Sequence, residues 1–275
     1  MLLRVGSRGS RLALTQAGRA VEALRGSGVE VALIPITTAG DRDRTKPFGQ
    51  IGERGVFVKE LEEALLAGRI DVAVHSAKDM TSTDTDGLVV GAYPLREDPR
   101  DALCGIASLA PGLRIGTASA RRRAQLLALE PTLSIEPLRG NIDTRLRKRG
   151  ERGLDAIVLA ACGLDRLGLE AEIGVRLDPE VMLPEAGQGA LALQVRAGEV
   201  ALVAAVDDAE TRRRVEAERH AVALIGGGCL APVAAHHDGS TLTVLVADED
   251  GRWLERRSGS DPEALARELE PFILR

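Results

Sequence analysis

The chain is poor in aromatic residues. Only 2% of its 275 residues are Phe, Trp or Tyr, too few for the stacking platforms that hold single-stranded bases. Its formal net charge is −5, so no bulk positive field exists to draw in nucleic acid, and no nucleic-acid partner is expected. No apolar run reaches the roughly 20 residues of a membrane-spanning helix, so no membrane association is expected. The first residues, MLLRVGSRGSR, lack the apolar core and cleavage site of a secretion signal, which makes a cytoplasmic protein the expectation. The three cysteines, Cys104, Cys162 and Cys229, are far apart and form no CxxC pair, and no histidine stands at ligand spacing from them. Neither a disulfide framework nor a bound metal is expected. Lysine is also scarce: Lys46, Lys59, Lys78 and Lys148 leave 32 of the 36 basic side chains as arginine. Genomic base composition accounts for most of such a bias, but arginine's planar fork also suits two-bond recognition of carboxylates and phosphates.

Apolar residues make up 44% of the chain, enough for buried cores in two or three domains. Leu2 to Val5 reads as a strand and Ser10 as the cap of a helix ended by Gly26 and Gly28. Val29 to Ile36 is a second strand, giving a β-α-β start with a right-handed crossover. Residues 37–54, TTAGDRDRTKPFGQIGER, have no period and are rich in Gly and charge, the composition of a covering loop. Val56 to Ala67 then reads as a helix. IDVAVHSAKDM (70–80) begins as a buried β-branched strand and stops in a polar cluster that sets Lys78 beside Asp79. A charged pair at a strand's carboxyl end is where open α/β sheets build sites, and equally where a solvated turn sits. Leu88 to Tyr93 is a further strand, and PLREDPRD (94–101) reads as a crossing linker.

A second α/β unit follows, with strands at Arg114–Gly116, Leu133–Leu138 and Asp155–Ala161 and helices at Ala120–Leu129 and Ile142–Arg149. Thr117 and Ser119 offer hydroxyls and free N–H groups at a helix start, where anions bind. Arg121 and Arg122 lie in that helix's first turn, where the dipole disfavours cations, so either an anionic partner or incidental surface arginines must explain them. Arg139 and Arg145 flank the next turn and Arg166 follows the third strand. Gly187 to Arg196 alternates as a strand, and Asp208 to Leu224 is a charged helix. Ile225-Gly-Gly-Gly-Cys229 surrounds one cysteine with backbone freedom that a buried cysteine does not need, which singles out Cys229 for reactivity. A hairpin around 248–251 and a helix opened by Asp261 make the tail a small α+β part.

These residues fall into blocks that resemble the porphobilinogen deaminase family: VGSRGSRLALTQA, GERGVFVKELEEALL, DVAVHSAKDM, REDPRDAL, GTASARRRAQL, LRGNIDTRL, GLDRLGL, LPEAGQGALALQVR and GGGCLAP. Nine blocks in order, from Val5 to about Pro232, make chance similarity very unconvincing. The resemblance implies an α/β fold of two periplasmic-binding-protein-like domains with a central cleft, plus a small C-terminal α+β domain. It divides the chain into 1–95 with 189–207, 99–184, and 210–275. It implies a transferase joining four porphobilinogens onto a covalent dipyrromethane, with Cys229 as the thioether anchor and Asp79 as the catalytic carboxylate. Cofactor contacts are implied for Ser76, Lys78, Asp79, Thr117, Ser119, Arg121, Arg122 and Arg139. Substrate contacts are implied for Arg8, Ser10, Phe57, Arg145, Arg166 and Gln188, with residues 41–54 as a lid. His75 is read as structural support. The family's second turn hydroxyl is replaced by Ala118. Porphobilinogen is the expected small-molecule partner, and a monomer the expected state.

Two rivals suit parts of the pattern. A non-enzymatic anion-binding protein with two lobes would use the same arginines but has no task for the Gly-rich cysteine turn. A Schiff-base enzyme on Lys78 would need a carbonyl cofactor with its own phosphate site.

Overall fold

The structure, a computed structural model, describes residues 2–37, 58–80, 85–226 and 232–273. The expected loop over 41–54, Phe57 and Cys229 lie outside the described residues. The chain forms two compact units, Met1–Glu97 with Ala190–Arg213, and Asp98–Gly189 with Arg214–Arg275.

In chain order the first unit opens with β1 (Leu2–Arg8), α1 (Arg11–Gly26) and β2 (Glu30–Ile36), then α2 (Lys59–Leu66), β3 (Val72–Ser76) and β4 (Leu88–Ala92). The second unit continues with β5 (Asp101–Cys104), β6 (Arg114–Gly116), α3 (Ala120–Leu129), β7 (Ser134–Glu136), α4 (Ile142–Glu151), β8 (Ala156–Ala160), α5 (Ala161–Leu167) and β9 (Ile173–Leu177). β10 (Leu191–Arg196) returns to the first unit, and α6 (Ala209–Ile225) crosses the boundary between units. β11 (Val233–His237), β12 (Leu242–Ala247), β13 (Leu254–Gly259) and α7 (Pro262–Ile273) complete the second.

Local chemistry sets the first crossover. The Ser10 hydroxyl accepts from the Ala13 N–H and caps α1, satisfying a donor that the helix itself leaves open. Ala17, Ala20, Val21 and Leu24 recur at helical spacing and bury against Leu3, Val5 and Val31 of the sheet. Leu24 is fully buried, so truncating it to Ala would cost about 2–5 kcal/mol.

The two five-stranded sheets share one topology. The first has the order β2-β1-β3-β10-β4 and the second β7-β6-β8-β5-β9. In each, the first three strands are parallel and the fourth runs against both its neighbours. The reversed strand brings its starting end to the edge where the parallel strands finish: Leu191 pairs with Ser76 in the first sheet, and Asp101 with Ala160 in the second. A third sheet, β11-β12-β13, is antiparallel. Leu242, Val244 and Val246 from this sheet pack with Leu265, Ala266 and Leu269 of α7 and with Ala221, Val222 and Ile225 of α6. The fold class is the expected one, two α/β sheets with a small α+β part.

Several boundaries differ from expectation. The supposed linker 94–101 ends in a strand, because Asp101 begins β5; four residues, DALC, are too few to show a period. β9, β11 and α5 are short in the same way and carry no sequence signature strong enough to read. The strand expected at 70–74 is Val72–Ser76, since Ile70 turns into the α2–β3 core rather than the ladder. Of the strand expected over 187–196, only Leu191–Arg196 pairs.

Candidate active site

Both sheets gather the expected polar residues at the carboxyl edge of their parallel strands, the edge at which open α/β sheets bind ligands. In the first unit, Arg8 ends β1 and Ser10 caps the next helix, while Ser76 ends β3. Lys78 and Asp79 follow in a single 3-10 turn, Ala77–Asp79, and both are half-buried. That turn is pinned from beneath: Ala77 is fully buried and its N–H donates to the Ala190 carbonyl at 3.0 Å. His75 stands 3.0 Å through Nε2 from the Gln194 side-chain oxygen. The Gln194 amide donates to Glu62 at 2.8 Å, and Thr85 donates to the other Glu62 oxygen at 2.9 Å. With its amide turned to Glu62, Gln194 offers His75 an oxygen, so His75 Nε2 carries the proton. This chain of hydrogen bonds ties β3, β10 and α2 together, in keeping with a supporting role for His75.

The second unit holds the denser cluster. The Thr117 hydroxyl accepts from the Ser119 N–H at 3.2 Å, and Ser119 caps α3 by accepting from the Arg122 N–H. Arg121 and Arg122, 3% and 5% exposed, both reach Asp101, which is fully buried. Arg121 Nη1 donates to Asp101 Oδ2 at 2.7 Å and to the Leu183 carbonyl at 2.8 Å. Arg122 donates to Asp101 Oδ1 through Nη2 at 2.7 Å and Nε at 3.1 Å, and to the Val158 carbonyl through Nη1 at 3.0 Å. Gln188, also fully buried, donates to the same Oδ1 at 3.0 Å and to the Pro99 carbonyl at 2.7 Å. Burial alone would raise the Asp101 pKa, but the Arg121 and Arg122 guanidiniums outweigh it and hold the carboxyl well below the usual range. Arg166 is buried and donates to the Gly189 carbonyl at 2.8 Å. Arg145 is half-buried, its Nε donating to the Gly140 carbonyl at 2.6 Å, whereas Arg139 is exposed.

Two of the three cysteines are packed away. Cys104 is fully buried and Cys162 is 4% exposed; burial pushes the Cys104 thiol up to about 11, where it is a poor nucleophile. Among the described residues, no group of three or more His, Cys, Asp or Glu could hold a metal, and no helix is long and apolar enough to cross a membrane.

The family model described as porphobilinogen deaminase, dipyromethane cofactor binding domain, matches residues 3–204. The chain belongs to the porphobilinogen deaminase family. The porphobilinogen deaminase of Roseiflexus sp. (strain RS-1) is 45% identical over 99% of this chain and 95% of its own. That of Syntrophotalea carbinolica is 47% identical over 96% of this chain and 88% of its own. Among solved structures, the immunogenic lipoprotein A of Vibrio vulnificus superposes with a TM-score of 0.45 at 16% identity, over 76% of this chain and 96% of that one.

A porphobilinogen deaminase must hold carboxylates, and the Asp101 cluster suits one. Arg121 is almost fully buried, yet its Nε and Nη2 have no hydrogen-bond partner. These two nitrogens form the edge of the guanidinium that takes a carboxylate bidentately. The cluster also contains two cations and one anion, an excess of positive charge that is costly to bury without a further anion. A dipyrromethane, which carries acetate and propionate groups, therefore fits the residues present. Asp101 and Gln125 escaped the sequence reading. Gln125 exchanges bonds with Leu183 of 2.7 and 3.1 Å and so fixes the carbonyl that receives Arg121. The one available signal for Asp101 was a lone acid opening the apolar run DALC.

Proposed function

We propose that the protein is a hydroxymethylbilane-forming transferase. It condenses four porphobilinogens head to tail and then releases the linear tetrapyrrole by hydrolysis. Each condensation breaks the C–N bond of an aminomethyl group and forms a C–C bond to a free pyrrole α-carbon. The proton lost from that carbon leaves, in balance, with the ammonia. When bound, the dipyrromethane supplies the primer on which the chain is extended. Family membership carries this reading, and the buried guanidinium edge of Arg121 is the geometric feature that agrees with it.

The residue roles belong to the same proposal. Cys229 holds the cofactor as a thioether; burial of Cys104 and Cys162 supports the assignment, because it leaves Cys229 as the candidate thiol. Asp79 stabilises the positive charge that develops on the pyrrole as ammonia departs and relays protons. Its place in a turn pinned by the Ala77–Ala190 bond supports a fixed carboxylate there. Ser76, Lys78, Thr117, Ser119, Arg121 and Arg139 hold cofactor carboxylates, and Arg122, whose nitrogens all donate within the protein, serves the same set through Asp101. Arg8, Ser10, Phe57, Arg145 and Arg166 serve the substrate and the growing chain, and Gln188, fully buried, serves it through Asp101. Arginine suits this work because it stays charged throughout. A division into three domains, 1–95 with 189–207, 99–184, and 210–275, is supported by three distinct sheets, the third of which also packs Ala234, Leu245 and Ala247 against Ala124 and Leu183 of the second part. A monomer in the cytoplasm, free of nucleic acid and membrane, completes the proposal, and the net charge of −5 supports the lack of a nucleic-acid partner.

Intact-protein mass before and after addition of porphobilinogen tests the reading. The wild type should carry a two-pyrrole adduct and gain substrate units, Cys229→Ala should carry none, and Asp79→Ala should keep the adduct while turnover nearly vanishes. An adduct on Cys229→Ala would remove the anchor assignment, and wild-type turnover in Asp79→Ala would remove the catalytic one.

A further inference from the structure

The Asp101 cluster differs in kind from an ordinary ion pair. Asp101 lies on the reversed strand β5, whose starting end meets the carboxyl edge of the second sheet through the Asp101–Ala160 pair. From there one carboxylate divides its oxygens: Oδ2 takes Arg121 Nη1, and Oδ1 takes Arg122 Nε and Nη2 together with the Gln188 amide. The consequence for the two arginines is unequal. Every nitrogen of Arg122 already donates within the protein, to Asp101 or to the Val158 carbonyl. Arg121 is gripped by Nη1 alone, between Asp101 and the Leu183 carbonyl, and keeps its Nε–Nη2 edge unbonded. A guanidinium is planar and rigid, so fixing one terminal nitrogen with two acceptors fixes the direction of the opposite edge. Glu185 also contributes negative charge to the field on Arg122.

We propose that Asp101 is a positioning residue for carboxylate recognition: it aims the Nε–Nη2 edge of Arg121 at a ligand carboxylate while binding Arg122 into the scaffold. Asp101 touches no ligand in this scheme and acts through Arg121. Its single carboxylate is hydrogen-bonded to two guanidiniums, so the pair keeps a positive excess that the negative charge of Glu185 offsets in part, and the site favours an anion. The inference rests on the proposed function, since the ligand is a carboxylate of the dipyrromethane or of the growing chain.

The test follows loading of cofactor-free protein by intact mass over time after porphobilinogen is added. Asp101→Asn keeps the shape of the side chain but cannot accept from both guanidiniums as an anion. It should load at least tenfold more slowly than wild type, with its melting and circular dichroism still those of a folded protein. In an Arg121→Gln background the same substitution should change the loading rate less than twofold, because the edge it aims is gone. Asp101→Glu, which restores the charge, should recover part of the rate, a recovery that a purely steric role would not give. Wild-type loading in Asp101→Asn overturns the proposal, as does an equal loss in both backgrounds. Should Asp101→Asn not fold, Asp101→Glu carries the test: folded protein that loads slowly supports the proposal, and folded protein that loads as wild type, or the same failure to fold, overturns it. If the wild type itself gains no adduct, the proposed function fails instead, and the two failures are distinct.

Discussion

Replacing Glu218 should destabilise the second unit more than any surface charge would. Glu218 is fully buried in α6. It accepts from the Gly187 N–H at 2.7 Å and from the His237 N–H at 2.8 Å, and His236 Nδ1 lies 3.4 Å from the same oxygen that takes His237. The first bond anchors the loop that leads into Gln188 and hence Asp101; the second anchors β11, which begins at Val233. Hydrogen bonds to a charged acceptor contribute about 1.5–3 kcal/mol each, so losing both gives about 3–6 kcal/mol. Relief from burying the carboxylate offsets part of that sum, as when a buried ionic group is replaced by an apolar one. Glu218→Ala should therefore cost about 3–5 kcal/mol, because the Gly187 and His237 N–H groups stay buried without acceptors. Glu218→Gln keeps one acceptor and turns an NH2 group toward the other N–H, which should cost about half as much. Thermal unfolding and amide hydrogen exchange read the two effects separately, with the Gly187 and His237 amides exchanging faster in both variants. A loss below about 1 kcal/mol in Glu218→Ala, with exchange unchanged, would refute the reasoning, since it would mean that neither N–H depends on this carboxylate.

Gly174 and Gly6 form a contrasting pair. A Cβ at Gly174 would lie 1.9 Å from the Ile106 carbonyl oxygen, whereas one at Gly6 would meet the Ile70 δ-methyl at 2.4 Å. Backbone cannot rotate away and a methyl can, so Gly174→Ala should cost about 3 kcal/mol or more and Gly6→Ala about 1, measured by denaturant unfolding; equal costs would contradict this. Asp71 gives a pH dependence: hydrogen bonding from Arg4 pulls its carboxyl down to about 2 despite partial burial. A folded pKa below the unfolded value of about 3.9 contributes stability that is complete above roughly pH 4 and lost as pH falls toward 2. Wild-type stability should therefore fall more steeply than that of Asp71→Asn over this interval, and parallel acid curves would argue against the pair.

The sequence made the first crossover legible because its signals are local. Ser10 capped the helix that its position announced, and residues 17, 20, 21 and 24 turned the expected face to the sheet. The strand end that carries Lys78 and Asp79 was legible for the same reason, because polar residues interrupt a β-branched run there. Asp101 was not, because its meaning is created by tertiary structure. In the sequence it closes a polar, proline-bearing segment; in the fold it starts a strand that runs against its neighbours and arrives beside arginines twenty residues further on. Gln188 read as a site residue through resemblance, and the structure adds what resemblance could not, that its amide braces Asp101 from the side away from Arg121 Nη1. Glu218 sat in a helix of mixed charge, with RRR at 212–214 before it and RH at 219–220 after it, where nothing distinguishes a buried acid from a solvated one.

How a chain of net charge −5 comes to hold a polyanion is a question of local ratio. Several arginines elsewhere are matched by acids. Arg4 and Arg196 share a network with Asp71 and Glu199, and Arg100 and Arg176 share one with Asp98 and Asp165. Each is two guanidiniums against two carboxylates, with side chains 14–42% exposed, where water screens what remains. The Asp101 cluster has two guanidiniums against one carboxylate, and all three side chains are at most 7% exposed. Screening is weak there, so the unbalanced charge is felt by a ligand rather than by solvent. Adding arginines to the surface would not reproduce this, since exposed cations recruit counter-ions. Removing Asp101 would not improve it either, because two unpartnered guanidiniums repel each other and lose their aim. The function of the acid in an anion site is then to set both the count and the direction of the charge that remains.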